Sequence, residues 1–370
     1  MRILFVTTRL GYSGAPKMMA WVANQMAARG HEVHLVTFYS EEQARLLHEK
    51  VTMRSLKVNK SRSRLVRNTT GMLKTISRLH RTVKELKPDV VVSFLDSVGY
   101  VYPLVGRILT KAKFIGSERS DPYVWRGFTR AVRVFLLQFM HGMVFQTQGA
   151  QRYFEKRKRV INRSVVIPNP VVLSDTVLNM QKNIPSFSQR DKVIVTVGRL
   201  SLHQKRQDVL LDAFKLFHEE NPGYILVIYG DGPDAKRIQT MIDERGLTGC
   251  VILAGRTNRV EKEIFSAAAF VLTSDYEGIP NALIEAMSIG VPSVSTDCSP
   301  GGAALLIRDG ENGFLVPCGD AEAIAEKLSV LVCDSKTADL FSQTSPLIAN
   351  DLAESIIADK WETYFKTFIE

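Results

Sequence analysis

An α/β architecture of two doubly wound, parallel-sheet domains facing a central cleft is predicted by three features of the chain. Short β-branched runs alternate with longer amphipathic stretches; that alternation loosens once, around residues 171–190; and the charge balance changes sign across the break. At 370 residues the chain also exceeds what one hydrophobic core usually serves. The expected boundaries are a first domain over residues 1–170, a linker over 171–190, a second domain over 191–350 and a closing helix over 351–370.

In the first domain strands are expected at Arg2–Thr8, Glu32–Phe38, Val90–Phe94, Lys113–Glu118, Gly142–Thr147 and Ser164–Asn169. Between the first two lies APKMMAWVANQMAARGH, a helical stretch that ends on Gly30, the residue type best suited to closing a helix. This is a β-α-β unit. After the break, KVIVTVGRL resumes the alternation, and strands follow at Tyr224–Gly230, Val251–Gly255, Phe270–Ser274, Pro292–Thr296 and Gly313–Pro317. The final IIADKWETYFKTFIE reads as an aromatic-rich amphipathic helix that crosses back to the first domain and packs at the domain junction.

The apolar run Ile3–Val6 is too short for the core of a signal peptide. Ala131–Phe145 is interrupted by Arg133, Gln138 and His141 and falls short of the ~20 residues that span a bilayer. No membrane crossing is expected. Cys250, Cys298, Cys318 and Cys333 include no C-x-x-C pair and no histidine at zinc-site spacing, so they read as small core residues in a reducing cytoplasm.

Charge is unevenly divided, with a balance of +20 over residues 1–170 and −10 over residues 171–370. From Lys57 to Lys87 ten basic residues face the single acid Glu85, and KRKRV follows at Lys156–Val160. A field of that size attracts anionic surfaces, so peripheral contact with an anionic membrane at its cytoplasmic face is expected. Leu65, Met72, Ile76, Leu79 and Val83 recur at roughly helical spacing among these cations. The stripe suits either an interfacial helix or, the favoured reading, a core-facing one.

Several strand ends carry chemistry. LGYSGAP, with Gly14, follows the first strand and lets a backbone approach a phosphate or sugar, although it lacks the G-x-G-x-x-G spacing of a nicotinamide fingerprint. VGRLSLHQK places Gly198 and Arg199 at a strand end and Lys205 before the next helix, where a guanidinium and an ammonium suit a diphosphate. YGDGPD, Tyr229–Asp234, is a further strand-end turn. In YEGIPNALIEAM, Pro280 suits a first helical turn, and the N–H groups near Asn281 and Ala282 face an anion or hydroxyl. Glu277 is expected on the lip of that loop and Glu285 one turn into the helix, both able to accept paired sugar hydroxyls.

The frame of Glu277 and Glu285, the Arg199 and Lys205 arrangement, and DGENGFLV at Asp309–Val316 together resemble the family-4 retaining glycosyltransferases of GT-B fold, with two Rossmann-like domains. The resemblance covers most of residues 192–330, and in the first half rests on the strand-loop-helix opening, SERSDP at Ser117–Pro122 and IPNPV at Ile167–Val171. It implies that Arg199 and Lys205 hold the diphosphate of a nucleotide-sugar donor, with UDP the family's commonest nucleotide. It further implies that Glu285 accepts the ribose hydroxyls, and that Glu277 with Gly278, Ile279, Pro280, Asn281 and Ala282 holds the transferred sugar. Gly14, Gly198 and Arg256 complete the donor-side candidates, and Glu118 and Arg119 are the acceptor-side ones. The acceptor is expected to be a glycan or lipid-linked glycan. The resemblance implies transfer with retention and without a metal ion, and the chain agrees in having no D-x-D; the donor is a substrate and no cofactor is expected.

Two stretches depart from the family pattern: SGAPK stands at Ser13–Lys17 where members often carry GGAER, and Leu305 stands where many carry a glutamate. Two rival functions use the same features. A sugar-nucleotide epimerase of this architecture would consume donor with no acceptor. A nucleic-acid-binding protein would use the basic half, but no aromatic-rich basic motif accompanies the charge, so no specific nucleic acid is expected.

Overall fold

The computed structural model describes residues 1–10, 14–39, 47–58, 70–94 and 97–369. Two compact units are formed, one from Met1–Asn169 with Ser355–Glu370 and the other from Pro170–Glu354.

The first unit is built on seven parallel strands in the order β3-β2-β1-β4-β5-β6-β7. These are β1 (Arg2–Thr7), β2 (Glu32–Thr37), β3 (Val51–Ser55), β4 (Val90–Ser93), β5 (Lys113–Glu118), β6 (Gly142–Phe145) and β7 (Ser164–Val166). Ile3, Leu4, Phe5, Val90 and Val92 in the central strands are wholly buried, because helices cover both faces of a parallel sheet. Sequence periodicity misses only β3 of these strands. It is an edge strand with Val51 alone fully inward, and its Thr52 and Arg54 face solvent, so its apolar signal is faint.

The helix Gly14–Ala28 joins β1 to β2 and closes as expected, with Gly30 at φ 84° and the His31 N–H reaching back to the Met26 carbonyl. The connections into β4, β5 and β6 advance in the opposite direction along the sheet. Right-handed crossovers therefore lay the helices Thr70–Leu86, Ser97–Leu109 and Gly127–Leu137 side by side on the other face. Leu79 and Val83 are buried in that core with Ile76 packed against it, so the stripe of the first of these helices faces inward and is not the interfacial one; Leu65 lies outside the described residues, as do residues 11–13 of the first loop.

The C-terminal helix, Glu354–Lys366, is part of the first unit. Trp361 stacks on Phe94, Phe365 meets Phe5 edge-on, and the Tyr364 hydroxyl accepts from the Met143 N–H at 2.9 Å. Its polar side is clamped at Glu362, which receives Arg29 at 2.9 Å, His31 at 3.1 Å and Lys366 at 2.7 Å. Hydrogen bonds from Lys366 and Arg29, with His31 adding, hold the Glu362 carboxyl at about 2.

The second unit has six parallel strands in the order β10-β9-β8-β11-β12-β13. They are β8 (Asp191–Val197), β9 (Ile225–Tyr229), β10 (Val251–Gly255), β11 (Ala267–Leu272), β12 (Ser293–Thr296) and β13 (Phe314–Val316). Residues 171–190, expected as a linker, belong to this unit and contain the helix Asp175–Lys182, capped by Ser174. Arg190 fastens the end of that stretch: its buried guanidinium donates to the carbonyls of Phe265, Ala267 and Gly290 and to the Ser342 hydroxyl. A short polar helix leaves little periodicity to read. The cysteines also differ from expectation, since only Cys298 is buried while Cys318 and Cys333 are exposed.

Replacing Glu362 by Gln should destabilise the first unit by about 2 kcal/mol at neutral pH. The folded value lies below the usual 4.5, so the carboxylate's contribution is complete above that pH and fades as pH falls toward 2. Thermal melts of both proteins should differ at pH 7 and draw together as the pH falls through that window.

Candidate active site

In the second unit the strand order reverses between β8 and β11, the place where open parallel sheets hold ligands beyond their carboxyl ends. Both strands deliver charged side chains there. After β8 comes Gly198-Arg199, then the short helix Leu202–Lys205; after β11 come Thr273, Ser274 and the loop to the helix Asn281–Ser288.

The two loops are tied together. The Thr273 hydroxyl donates to the Lys205 carbonyl at 2.8 Å, the Asp275 N–H to the Gln204 carbonyl at 2.9 Å, and the Gln204 side chain to the Tyr276 carbonyl at 3.2 Å. At their centre the Lys205 ammonium meets the Glu277 carboxylate at 2.5 Å, with the side chains only 15% and 11% exposed. Ser274 donates to the same Glu277 oxygen at 2.8 Å. Glu277 is therefore not on the loop lip as the sequence suggested but turned inward onto a cation. Lys205 in turn lies over Gly198, where an added Cβ would approach its Cε at 3.2 Å.

The three cations of this stretch are differently engaged. Arg206, in left-handed conformation at φ 49°, bonds both oxygens of Asp275 at 3.0 Å and also Asp208, and these carboxylates raise its pKa further. Lys205 is paired with Glu277. The Arg199 side chain is exposed and forms no ion pair or hydrogen bond among the described residues. A guanidinium open to an incoming anion thus stands beside an oriented ammonium.

Two glycines let neighbouring backbones touch at this edge. At Gly230, φ 145°, a Cβ would fall 1.8 Å from the Gly198 carbonyl oxygen; at Gly302 it would fall 1.9 Å from that of Gly278. The first explains the YGDG turn after β9. The second sets the Gly278-Ile279 peptide against the loop after β12, where the Glu277 N–H also donates to the Ser299 carbonyl at 2.8 Å.

Gly278, Ile279, Pro280, Asn281 and Ala282 continue from Glu277 into the helix Asn281–Ser288. Pro280 is its cap residue rather than a first-turn residue, and Glu285 is partly buried one turn further on. Arg256 is placed at the rim, after β10 and two strands from β8, exposed and paired with Asp231 at 3.3 Å. Sequence reasoning passed over Ser274, Thr273 and Gln204, whose hydroxyl and amide groups carry no motif of their own. Cys298 lies close enough for the Glu277 charge to act on it, but burial comes first in pushing its thiol up, which leaves it inert.

Gly14, Glu118 and Arg119 are in the first unit. Gly14 opens the helix after β1. Glu118 ends β5 and is buried, accepting from the Tyr100 hydroxyl at 2.9 Å and from the Ser120 N–H and hydroxyl at 3.0 and 2.6 Å; burial raises its pKa against those bonds. Its carboxylate organises the turn. Arg119 sits over the Phe94 ring, 4.9 Å from its centroid, and donates to Asn169; burial pulls it down to about 9, with Glu118 opposing.

A model of the glycosyl transferase 4-like domain matches residues 13–170, and one of the glycosyl transferases group 1 matches residues 179–346. The chain is a GT-B glycosyltransferase of the family-4 kind. The GalNAc-α-(1→4)-GalNAc-α-(1→3)-diNAcBac-PP-undecaprenol α-1,4-N-acetyl-D-galactosaminyltransferase of Campylobacter jejuni is 27% identical over 98% of this glycosyltransferase and 97% of the relative. Among solved structures, a mutant of S. aureus TarM in complex with fondaparinux, α-GlcNAc-glycerol and UDP superposes with a TM-score of 0.79 at 16% identity, over 98% of this chain and 99% of that one. Anabaena HepE in complex with UDP and glucose does so with a TM-score of 0.79 at 18% identity, again over 98% and 99%. At these identities the two structures establish the fold.

Removing either partner of the Lys205–Glu277 pair strands a desolvated charge, so Lys205→Ala and Glu277→Ala should each cost the glycosyltransferase about 3 kcal/mol. The double variant should cost clearly less than the two losses added, which denaturant melts of all four proteins will read as a coupling.

Proposed function

We propose that this glycosyltransferase transfers a sugar from a nucleotide-sugar donor, UDP-linked, to a glycan or lipid-linked acceptor in polysaccharide or glycolipid synthesis, with retention and without a metal ion. The observation that carries the reading is the open Arg199 guanidinium beside the inward Lys205–Glu277 pair at the strand-order reversal. The UDP named in the HepE and TarM complexes supports the donor, and the undecaprenol-linked substrate named for the C. jejuni relative supports the acceptor.

Breaking the bond from the anomeric carbon to a diphosphate builds negative charge on the leaving group. Fixed donors aimed at such charge cost no reorganisation at the moment of reaction. Arg199 and Lys205 take that role, and Glu277 with Ser274 holds the Lys205 ammonium in place. Glu285 accepts the ribose hydroxyls, the Gly278–Ala282 segment receives the transferred sugar, and Arg256 stands at the outer edge of the donor. The acceptor attacks on the face from which the nucleotide departs, and the leaving phosphate oxygen takes the acceptor proton, so no carboxylate acts as nucleophile. On the acceptor side Glu118 and Arg119 both stand as candidates, Glu118 engaged by Tyr100 and Ser120 and Arg119 by Asn169 and the Phe94 ring. No helix among the described residues is long and apolar enough to cross a membrane, and we place the enzyme at the cytoplasmic membrane surface through its basic first unit.

Thermal shift against a panel of nucleotide sugars should single out UDP-sugars, with no change on adding EDTA. With the sugar so found, Lys205→Ala should lower kcat by roughly 10²- to 10³-fold. NMR of the product should show the donor's anomeric configuration. Inversion, or a trapped sugar–enzyme ester, would overturn the retaining mechanism; donor turnover without acceptor would indicate an epimerase.

A further inference from the structure

Arg206, beside Lys205, has a backbone that favours another residue. It links the short helix Leu202–Lys205 to the helix Gln207–Glu220 in the left-handed region, at φ 49° and ψ 49°, which glycine adopts freely and other residues adopt under strain. What accounts for arginine there is its guanidinium. The Nε and Nη2 edge donates to Asp208, in the first turn of the second helix, at 3.0–3.2 Å, and Nη1 donates to both oxygens of Asp275 at 3.0 Å, across 69 positions of sequence. Asp208 aims the group and Asp275 receives it.

All three side chains are partly exposed, where an ion pair as a rule adds little to stability. Their location gives the pair a different use. Arg206 directly follows Lys205, and Asp275 stands two residues before Glu277, so two ion pairs join the loops after β8 and β11: the inner Lys205–Glu277 and the outer Arg206–Asp275. A diphosphate at Lys205 competes with Glu277 for the ammonium and so weakens the inner tie while the sugar is being transferred. The outer one keeps its acids. We propose that Arg206 is a positioning residue for the transfer, a latch that, aimed by Asp208 and closed on Asp275, holds the two loops in register while the donor draws on Lys205. The inference rests on the proposed donor role of Lys205, but the latch acts on the Lys205–Glu277 pair without donor as well and is measurable there.

The test begins with the full chain alone. In denaturant melts, the non-additivity of Lys205→Ala and Glu277→Ala should fall by about half or more when Arg206→Gly is the background, since glycine keeps the left-handed backbone and removes only the latch. Asp275→Asn, which leaves the backbone of residue 206 alone, should lower it likewise. With the donor found by thermal shift, kcat of each of these two variants should fall roughly tenfold or more while donor KM changes less than about threefold, and combining them should add nothing. Arg206→Lys should fare no better than Arg206→Gly, because one ammonium cannot span both carboxylates. The same coupling in all backgrounds, or kcat within about twofold of the parent, would overturn the proposal. So would a raised donor KM at unchanged kcat, the mark of a residue that holds the donor itself. A smaller coupling in Arg206→Gly with no nucleotide sugar bound by the parent would support the latch and count against the donor reading alone.

Discussion

The active edge of the second unit depends on one contact, the 2.5 Å ion pair between Lys205 and Glu277. Drawing two charges out of water costs several kcal/mol each, and the attraction between them returns that only when geometry and further hydrogen bonds are good. Here Ser274 supplies the further bond, and the ties through Thr273, Asp275 and Gln204 hold the two loops against each other. Such a pair is a poor source of net stability. Its physical value is positional, since it joins the two strands between which the sheet order reverses.

Close backbone approach makes that positioning possible. The loops after β8, β9, β11 and β12 converge so tightly that Gly230 and Gly302 have no room for a methyl group. A side chain at either would press on a carbonyl oxygen, which cannot swing aside as the end of a flexible chain could. Two glycine-containing turns that looked unremarkable in the sequence therefore set the spacing between Gly198, Gly278 and the charged pair. The apolar strands bring the loops to one edge, and the glycines decide how near they come.

What the sequence disclosed follows from which interactions leave a periodic or compositional trace. Buried parallel strands do, as at Ile3–Val6 and Val90–Val92, and so both sheets were legible. The half-exposed edge strand Val51–Ser55 leaves little, and the stretch 171–190 is fastened at its end by Arg190 reaching four distant groups, a tie with no local pattern. At the candidate site, Arg199, Lys205, Glu277 and Glu285 were singled out from residue type and spacing, and the structure joins Lys205 to Glu277. That Glu277 turns inward onto Lys205 was not, because two residues more than seventy positions apart meet only once β8 and β11 lie side by side. Cysteines misled for a related reason: Cys318 and Cys333 are exposed, and a lone small residue carries no signal of burial.

The charge division between the units has a consequence for the donor reading. The second unit carries a balance of −9 over residues 171–354 and repels a diphosphate at long range, so the pyrophosphate site proposed for it could not rely on the general field. At physiological salt that field decays over about 8 Å, whereas cations in direct contact are screened far less. Recognition of an anion by an acidic unit therefore falls to a few local cations held away from their own acids. Arg206 is neutralised by Asp208 and Asp275, and Arg256 by Asp231. Arg199 alone of this group is left open among the described residues, and Lys205 is paired with a single carboxylate that also aims it. In the basic unit the requirement is the opposite: a broad field of one sign suits an extended anionic surface, and no single cation has to be placed with care.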